Sequence, residues 1–262
     1  MNLAAQNWYN LFGELTTDGI AWHGFWTTYS PDGEVIKYYE GERKFWANED
    51  GTLIDQNNNY TYPNGSTERK KWQIDQQTCN QSDGVIHPAY TSLRVLSFGA
   101  GANAWVKKEF IVEQFFGCEF FFRHQDWRTS VAIIYGKDST IEKIIQICEH
   151  KDSLPDHPPT AEIKNIPGNW IGKKQLMTAD LKISQESEET QIELNSTNDQ
   201  IQTIFLPDRI VLNIPQKLHV GEEIEITAGK LVTNNKYQQM TAKYNQNGKF
   251  QQLIYKDLTQ KN

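Results

Sequence analysis

Six histidines and three cysteines are the residues best suited to metal binding or nucleophilic catalysis, but their spacing supports neither. No two histidines stand at the H-x-H or H-x-x-x-H spacing of a metal site. The cysteines Cys79, Cys118 and Cys148 form no C-x-x-C pair, and the G-x-S-x-G motif of a serine nucleophile is absent. We therefore predict no metal site and assign no catalytic residue.

The densest polar cluster is His124-x-Asp126-x-Arg128, which follows an aromatic run. In an extended strand this alternation places all three side chains on one face. Inside a barrel they would recognise a ligand carboxylate or pyrrole nitrogen, since arginine binds carboxylates in bidentate geometry. The same residues also fit a structural salt bridge with Arg128 packed on Trp26, or a hairpin turn in which the alternation has no meaning.

Composition excludes several classes of protein. The 262-residue chain has 26 Lys and Arg against 33 Asp and Glu, so it lacks the basic surface that a nucleic-acid partner requires. Its apolar runs are far shorter than the roughly 20 residues of a membrane span. An aromatic content of 12% argues against a disordered chain. A globular protein with no nucleic-acid partner and no membrane span is expected.

The amino terminus and the cysteines indicate the cellular compartment of the protein. The first residues include no basic segment and no long apolar segment, so we predict no signal peptide. An odd number of widely spaced cysteines is typical of the reduced cytosol. We predict a cytoplasmic location, and the sequence does not indicate an oligomeric state.

The elements that must position the polar cluster are mostly strands. Trp8, Leu11, Phe12 and Leu15 have the spacing of one helical face, which predicts a short amphipathic helix within residues 3–15. Further along, segments rich in aromatic and β-branched residues alternate with dipeptides typical of tight hairpin turns. These dipeptides are Asp32-Gly33, Asp50-Gly51, Asn64-Gly65, Asp83-Gly84 and Asn247-Gly248. Short strands with such turns indicate an all-β, antiparallel sandwich or barrel.

The chain changes character near its middle. Residues 150–169 hold four of the nine prolines and are predicted to be a linker. Residues 1–149 hold 25 of the 31 aromatic residues, whereas residues 170–262 rely on Ile, Leu and Val. Trp22-x-Gly24 and Trp170-x-Gly172 open the two halves, which indicates a duplication. We predict a larger aromatic-rich barrel with a helix over one end, then a smaller barrel.

The residues around the first predicted strand resemble a known family. Gly24-x-Trp26 is similar to the first-strand G-x-W of the lipocalin and calycin superfamily. A longer pattern resembles the cyanobacterial two-barrel proteins of domain of unknown function 3598, over most of residues 20–149 and more weakly over 165–258. That pattern comprises Trp22-x-Gly24-x-Trp26-x-x-Tyr29-Ser30-Pro31-Asp32-Gly33, Phe45-x-Ala47-x-x-Asp50-Gly51 and Asn59-Tyr60-x-Tyr62.

The resemblance implies two calycin-like β-barrels in tandem, of the kind that usually hold one apolar ligand. It also implies that Trp26 closes a barrel end and that Arg128, on a late strand, packs over it. The superfamily includes phycobilin lyases and nitrobindin-like haem proteins. The glycine-rich haem motif is absent after Trp26, and no lyase motif matches residue by residue. No cofactor is therefore identified, and a tetrapyrrole stays open as a ligand.

We expect the N-terminal barrel to bind a small hydrophobic or amphipathic ligand such as a pigment, tetrapyrrole or lipid. The predicted ligand-binding residues are Trp26, Phe45, Tyr60, Trp105, Phe120, Phe122, His124 and Arg128, with Trp22 and Trp46 as further wall candidates. One alternative is a lyase, isomerase or cyclase that uses His124 or Asp126 for proton transfer. Another is a structural or protein-interaction module with filled barrels. We favour binding over catalysis.

Overall fold

The computed structural model describes residues 2–189, 192 and 200–261. The described chain is almost entirely β-structure, which confirms the predicted fold class, and it includes the helices α1 (Leu3–Phe12) and α2 (Gln76–Cys79). The first sheet comprises β1 (Ile20–Tyr29), β2 (Val35–Ala47), β3 (Leu53–Thr61), β4 (Thr67–Asp75), β5 (Asn80–Gln81), β6 (Gly84–His87), β7 (Tyr90–Gly99), β8 (Ala102–Lys107), β9 (Phe116–His124), β10 (Trp127–Tyr135) and β11 (Ile141–Lys151). The second comprises β12 (Trp170–Thr178), β13 (Ser187–Glu189), β14 (Ile201–Leu206), β15 (Ile210–Pro215), β16 (Ile224–Thr233), β17 (Lys236–Tyr244) and β18 (Phe250–Gln260).

The first sheet curls into a nearly closed barrel of eleven strands. Its order is β4-β3-β2-β1-β11-β10-β9-β8-β7-β6-β5, so the first and last strands in the sequence pair in the middle. The two edge strands, β4 and β5, are joined through α2. Each predicted turn dipeptide connects two antiparallel strands, and its glycine has the positive φ that glycine adopts without strain.

Helix α1 covers one end of this barrel. The Asn7 side chain donates to the Val95 carbonyl (3.1 Å) and accepts from the Ser97 amide (2.8 Å), both on β7. Trp8 Nε1 donates to the carbonyl of Gly51 in the turn between β2 and β3 (2.9 Å). The predicted amphipathic helix is therefore confirmed, although it ends at Phe12 and leaves Leu15 outside.

The second sheet packs against the outer face of the first. Its order is β13-β12-β18-β17-β16-β15-β14. The largest hydrophobic cluster contains Phe120 and Tyr135 of the first sheet together with Leu212 and Met240 of the second. Because this core is continuous across both sheets, the division into two domains with boundaries near residues 149 and 170 stays a prediction.

Hydrogen bonds hold the segment between the sheets near its middle and near its C-terminal end. No helix or strand lies between Lys151 and Trp170, all of which is described. Trp170 Nε1 donates to the carbonyl of Pro167 (3.2 Å), and the amide of Arg209 donates to the carbonyl of Ala161 (3.1 Å). The proline-rich segment thus passes from one sheet to the other along the surface of the second.

Neither helix of the described chain combines the length and the apolar character needed to cross a lipid bilayer.

Candidate functional site

The barrel interior encloses a cavity of about 870 Å³. On most of the strands alternate residues line it, because successive side chains of a strand point to opposite sides. At one end it is lined by Leu11 and Phe12 of α1. At the other end it is lined by Tyr90 and Phe115, which are 56% and 50% exposed. The cavity therefore reaches solvent at the end opposite α1.

Two groups of aromatic side chains form much of the wall. In the first, Trp26 stacks with Tyr39 (6.1 Å between ring centroids) and meets Tyr60 edge to face (5.5 Å). In the second, His87 lies 5.1 Å from the ring of Trp105. Flat apolar surfaces of this kind suit conjugated or aliphatic molecules.

A glycine on the neighbouring strand makes room for the first group. Gly41 on β2 pairs with Gly24 on β1. A Cβ atom at residue 41 would lie 2.1 Å from Cζ3 of Trp26, far inside van der Waals contact. The indole can therefore lie flat against β2 only because this position has no side chain.

Arginine and glutamate side chains form a charged cluster in the same part of the wall. Nε and Nη2 of Arg128 both donate to Oε2 of Glu149, at 2.9 and 2.6 Å. Nε of Arg43 lies 3.5 Å from Oε1 of Glu149, and neither of these two buried atoms makes a hydrogen bond. Ser130 Oγ donates to Oε1 of Glu119 (2.6 Å), and burial raises the pKa of Glu119.

The arginines stack on tryptophans, but in a different pairing from the predicted one. Arg128 lies over Trp22, with Cζ 4.6 Å from the ring centroid, and Arg43 lies over Trp26 at 5.3 Å. The expectation that Arg128 packs on Trp26 is therefore wrong. Arg128 stands on β10, two strands from β1, and Glu149 on the intervening strand holds its guanidinium near Trp22. Arg43 stands on β2, which is adjacent to β1.

A chain of hydrogen bonds runs along the wall on β3. The amide of Ala89 donates to Nδ1 of His87 (3.1 Å), so the imidazole proton is on Nε2, which faces Oε1 of Gln56 at 3.0 Å. Gln56 Nε2 then donates to Oδ1 of Asn58 (3.1 Å). Asn58 Nδ2 donates to the hydroxyl oxygen of Tyr60 (2.7 Å). Every bond in the chain therefore points from His87 towards Tyr60.

His87 is neutral within this chain. Burial and the positive charge of Arg43 lower the pKa of His87 to about 4. Protonation of Nδ1 would also place a hydrogen against the amide of Ala89, which can only donate. Both ring nitrogens are thus engaged in hydrogen bonds, and His87 serves as a fixed polar group of the wall.

Five of the eight predicted ligand-binding residues are brought together at the cavity. Those five are Trp26, Phe45, Tyr60, Trp105 and Arg128, and the further candidate Trp22 joins them. Phe120 and Phe122 do not line it, because in this part of β9 the inward-facing residues are Glu119 and Phe121. Phe120 and Phe122 lie instead in the core between the sheets.

The remaining candidates lie away from the cavity. β9 ends at His124 and β10 begins at Trp127, so the cluster from His124 to Arg128 spans a hairpin in which Gln125 and Asp126 form the turn and Arg128 already belongs to β10. His124 and Asp126 are not among the lining residues, and Asp126 is exposed. Trp46 is also absent from the lining, because β2 faces the cavity with odd-numbered residues.

The sequence-based prediction missed the polar residues of the wall. Arg43 and Glu149 are 106 positions apart, and neither belongs to a motif. Gln56 and Asn58 lie in Asp55-Gln56-Asn57-Asn58-Asn59, where both strand faces are polar, so no alternation marks the inner face. The detectable signal was the pairing of Tyr60 and Tyr62 two residues apart, which do both face inwards.

The loop between β8 and β9 connects the open end of the cavity with the second sheet. Phe115 lines the cavity, while the amide of Phe110 donates to the carbonyl of Gly248 (2.8 Å). The amide of Phe250 donates to the carbonyl of Lys108 (2.9 Å). The same loop thus borders the cavity and pairs with the turn between β17 and β18.

In the part of the chain that the structure describes, no group of three or more His, Cys, Asp or Glu side chains is arranged to hold a metal ion.

Comparison with solved structures finds the same fold. A protein of unknown function of the DUF3598 family from Nostoc punctiforme aligns with a TM-score of 0.75 and 16% identity, over 97% of this chain and 99% of that chain. Kievitone hydratase from Nectria haematococca aligns with a TM-score of only 0.19 and 8% identity, over 96% of this chain and 92% of that one. That second alignment supports no argument about fold or function.

Comparison with sequence families finds a match in each half of the chain. No curated protein matches. The C-terminal domain of biogenesis factor required for ATP synthase 1 matches residues 160–256. The N-terminal domain of the DUF3598 family (domain of unknown function 3598) matches residues 4–154, which is more than half of the chain. The protein therefore belongs to the DUF3598 family.

Proposed function

We propose that this protein binds a small hydrophobic or amphipathic molecule inside the eleven-stranded barrel. The observation that supports the proposal is the cavity of about 870 Å³. Ligand sites in proteins have volumes of roughly 300–1,000 Å³ and are mostly apolar with a few polar groups. A structural module would fill this interior with its own side chains, as the core between the two sheets is filled.

The walls define the class of ligand. Trp26, Tyr39 and Tyr60 on one side and Trp105 on another offer flat surfaces. A pigment, a tetrapyrrole or a lipid would each satisfy them, and the tetrapyrrole stays a prediction. His87 offers no free ring nitrogen to a haem iron, since both nitrogens are already hydrogen-bonded. We therefore favour a ligand held without a metal bond.

We propose binding rather than turnover. The catalytic alternative assigned proton transfer to His124 or Asp126, and neither side chain lines the cavity. Arg128, which does line the cavity, is engaged by the buried carboxylate of Glu149. This arrangement supports a static binding wall.

The proposal predicts that filling the cavity abolishes binding. Ala132 lines the cavity on β10, and Ala132→Trp would place an indole in the space. We expect wild-type protein to bind the neutral fluorescent probe N-phenyl-1-naphthylamine with micromolar affinity, and Ala132→Trp to weaken binding about tenfold or more. Fluorescence titration measures both affinities.

The matched control is Lys71→Trp, which adds the same side chain to an exposed position on β4. We expect this control to bind the probe as the wild type does. Circular dichroism establishes that both variants fold. Failure of folded wild-type protein to bind the probe would refute the proposal, as would unchanged binding by folded Ala132→Trp.

A second candidate function is a role in protein assembly. It is favoured by the match of residues 160–256 to a domain whose name refers to ATP synthase biogenesis. The second half carries exposed apolar residues, among them Val220 (68% exposed) in the loop between β15 and β16 and Ile171 (40%) on β12. Co-sedimentation of the protein with purified ATP synthase, compared with the Val220→Asp and Ile171→Asp variants, tests this candidate. Binding that these substitutions weaken would support it.

Three further assignments are also proposals. The nearly closed barrel with Gly24-x-Trp26 on its first strand supports a relation to the calycins. Similarity to a Nostoc protein supports a cyanobacterial origin. Three free, buried cysteines support a reducing, cytoplasmic location.

A further inference from the structure

The hydrogen-bond chain on β3 ends in a hydroxyl group with an unused proton. Tyr60 accepts from Asn58 Nδ2, so its own O–H must point elsewhere. Within the described ranges, no protein atom accepts a hydrogen bond from this hydroxyl. Tyr60 lines the cavity and is only 9% exposed. A buried donor without an acceptor is unfavourable, and the cavity is the space into which it can donate.

Arg43 is a second incompletely satisfied donor. The residue is 8% exposed and lines the cavity, and its Nε makes no hydrogen bond. The carboxylate nearest to it, that of Glu149, already receives two hydrogen bonds from Arg128. One carboxylate thus faces two guanidinium groups, and Arg43 has the longer and weaker contact, at 3.5 Å.

Both donors lie against the same aromatic ring, that of Trp26. Arg43 packs over Trp26, and the edge of Tyr60 meets the same indole. On the paired strands β2 and β3, Arg43 is opposite Asn58, and Tyr60 is two residues further on. A guanidinium can only donate hydrogen bonds and the Tyr60 hydroxyl has a proton left to donate, so the two groups suit an acceptor, and a carboxylate forms the strongest hydrogen bonds with arginine.

We infer that the molecule bound in the cavity ends in a carboxylate, which accepts hydrogen bonds from the Tyr60 hydroxyl and the Arg43 guanidinium while its apolar part lies along the aromatic wall. The inference rests on the proposed binding function and specifies the polar group of that ligand.

The charges of the cluster favour a negatively charged group on the ligand. Arg43 and Arg128 contribute two positive charges and Glu149 one negative charge, so a carboxylate would balance the second guanidinium. The other carboxyl group of the cluster is Glu119, which lines the cavity and accepts from Ser130. Burial raises the pKa of Glu119, which reduces the negative charge that it contributes beside Arg43.

A pair of ligands that differ only in the head group tests the inference. Isothermal titration of the full-length protein with dodecanoic acid and with dodecan-1-ol at pH 7.5 gives the two affinities. We expect wild-type protein to bind the acid at least about tenfold more tightly than the alcohol, because charge-assisted hydrogen bonds are the stronger kind. In Tyr60→Phe, which keeps the ring and loses only the O–H, this preference should fall about tenfold.

The matched control is Tyr62→Phe. Tyr62 also lines the cavity, but its hydroxyl already donates to Glu68 (2.7 Å), so the preference for the acid should persist. A second variant, Arg43→Lys, keeps the charge beside Glu149 and removes the planar donor group, and it should also reduce the preference.

The failures of the two proposals are distinguishable. If the wild-type protein binds the neutral probe and Ala132→Trp binds it more weakly, the cavity is a binding site. Equal affinity for acid and alcohol, absence of binding by both, or an acid preference unchanged in Tyr60→Phe and Arg43→Lys would then overturn the carboxylate inference alone. If the neutral probe does not bind at all, the binding function itself fails.

Discussion

The charged cluster of the cavity wall depends on one residue, Glu149. It is 2% exposed and contacts two arginines, Arg43 and Arg128, which come from strands on opposite sides of β1 and β11. Taking an ionised carboxylate out of water costs several kcal/mol, and the two guanidinium groups offset this cost. The cluster is therefore stable only while all three side chains are present.

We predict that Glu149→Gln lowers the free energy of unfolding by about 3 kcal/mol, because it leaves two buried guanidinium groups without a counter-charge. The control is Glu142→Gln, whose partner Lys143 is on the surface, and we expect it to cost under about 1 kcal/mol. Urea denaturation of both variants measures the difference. Equal losses in the two variants would show that the cluster contributes no more than a surface pair.

Among the individual residues of the site, the aromatic ones could be predicted from the sequence and the polar ones could not. Trp26, Tyr60 and Trp105 were identifiable because large aromatic side chains in a barrel must lie in a core or face a cavity. Arg43 belongs to the site through its contact with Glu149, and the spacing of residues in the sequence does not reveal a contact between strands so far apart in the chain. Phe120 was misplaced because side chains on both faces of β9 are buried, so burial alone did not identify the inner face.

Among the elements, α1 depends most on a few side chains. Asn7 is 3% exposed, and its amide pairs with two backbone groups of β7 as a neighbouring strand would do. The helix is only ten residues long and would be marginal alone, so its position is set by these bonds and by the burial of Trp8 and Phe12.

We predict that Asn7→Ala destabilises the protein by about 2 kcal/mol, because it leaves the Val95 carbonyl and the Ser97 amide buried without partners. Asn10→Ala is the matched control, since Asn10 makes a single bond to β7, from Nδ2 to the Ser97 carbonyl (3.0 Å), and is less buried. We expect half the loss or less there. Amide hydrogen exchange should show faster exchange within α1 in Asn7→Ala, and unchanged α1 protection would contradict this account.

Elements set by local chemistry were predictable. The Asp-Gly and Asn-Gly pairs located five turns because a positive φ is a property of the glycine itself. The repeated Trp-x-Gly also has a structural counterpart. Gly24 on β1 and Gly172 on β12 lie on strands that pair with the last strand of their sheet, and a Cβ at either would lie about 2 Å from a backbone carbonyl oxygen of that strand. This equivalence supports the duplication, which stays a prediction.

At the scale of the whole molecule, the largest hydrophobic core among the described residues spans both sheets, where the composition suggested a separate core for each half. Tyr135 OH donates to the Pro215 carbonyl (2.8 Å), and Gln146 Nε2 donates to the Pro207 carbonyl (2.9 Å), so hydrogen bonds cross between the sheets within the apolar contact. The sequence could not show this, because apolar residues facing a partner sheet look the same as apolar residues facing a barrel interior.

We predict that the two sheets unfold together. Leu212 is fully buried in the second sheet, and Leu212→Ala should cost about 2–5 kcal/mol. Seven of the eight tryptophans lie within residues 1–149, so tryptophan fluorescence reports mainly on the first sheet. We expect its urea midpoint to fall as far as the midpoint from far-ultraviolet circular dichroism. A fluorescence midpoint that stays at the wild-type value would show that the sheets unfold separately.

Strand β9 has a consequence for how the chain can vary in length. In this strand Glu119 and Phe121 face the cavity, and Phe120 and Phe122 fill the core between the sheets. Adding or deleting one residue would exchange the two sets, because a shift of one position turns every side chain to the other face. Insertions and deletions among relatives should therefore be excluded from β9 and concentrate in the segment 152–169, where no strand register has to be preserved.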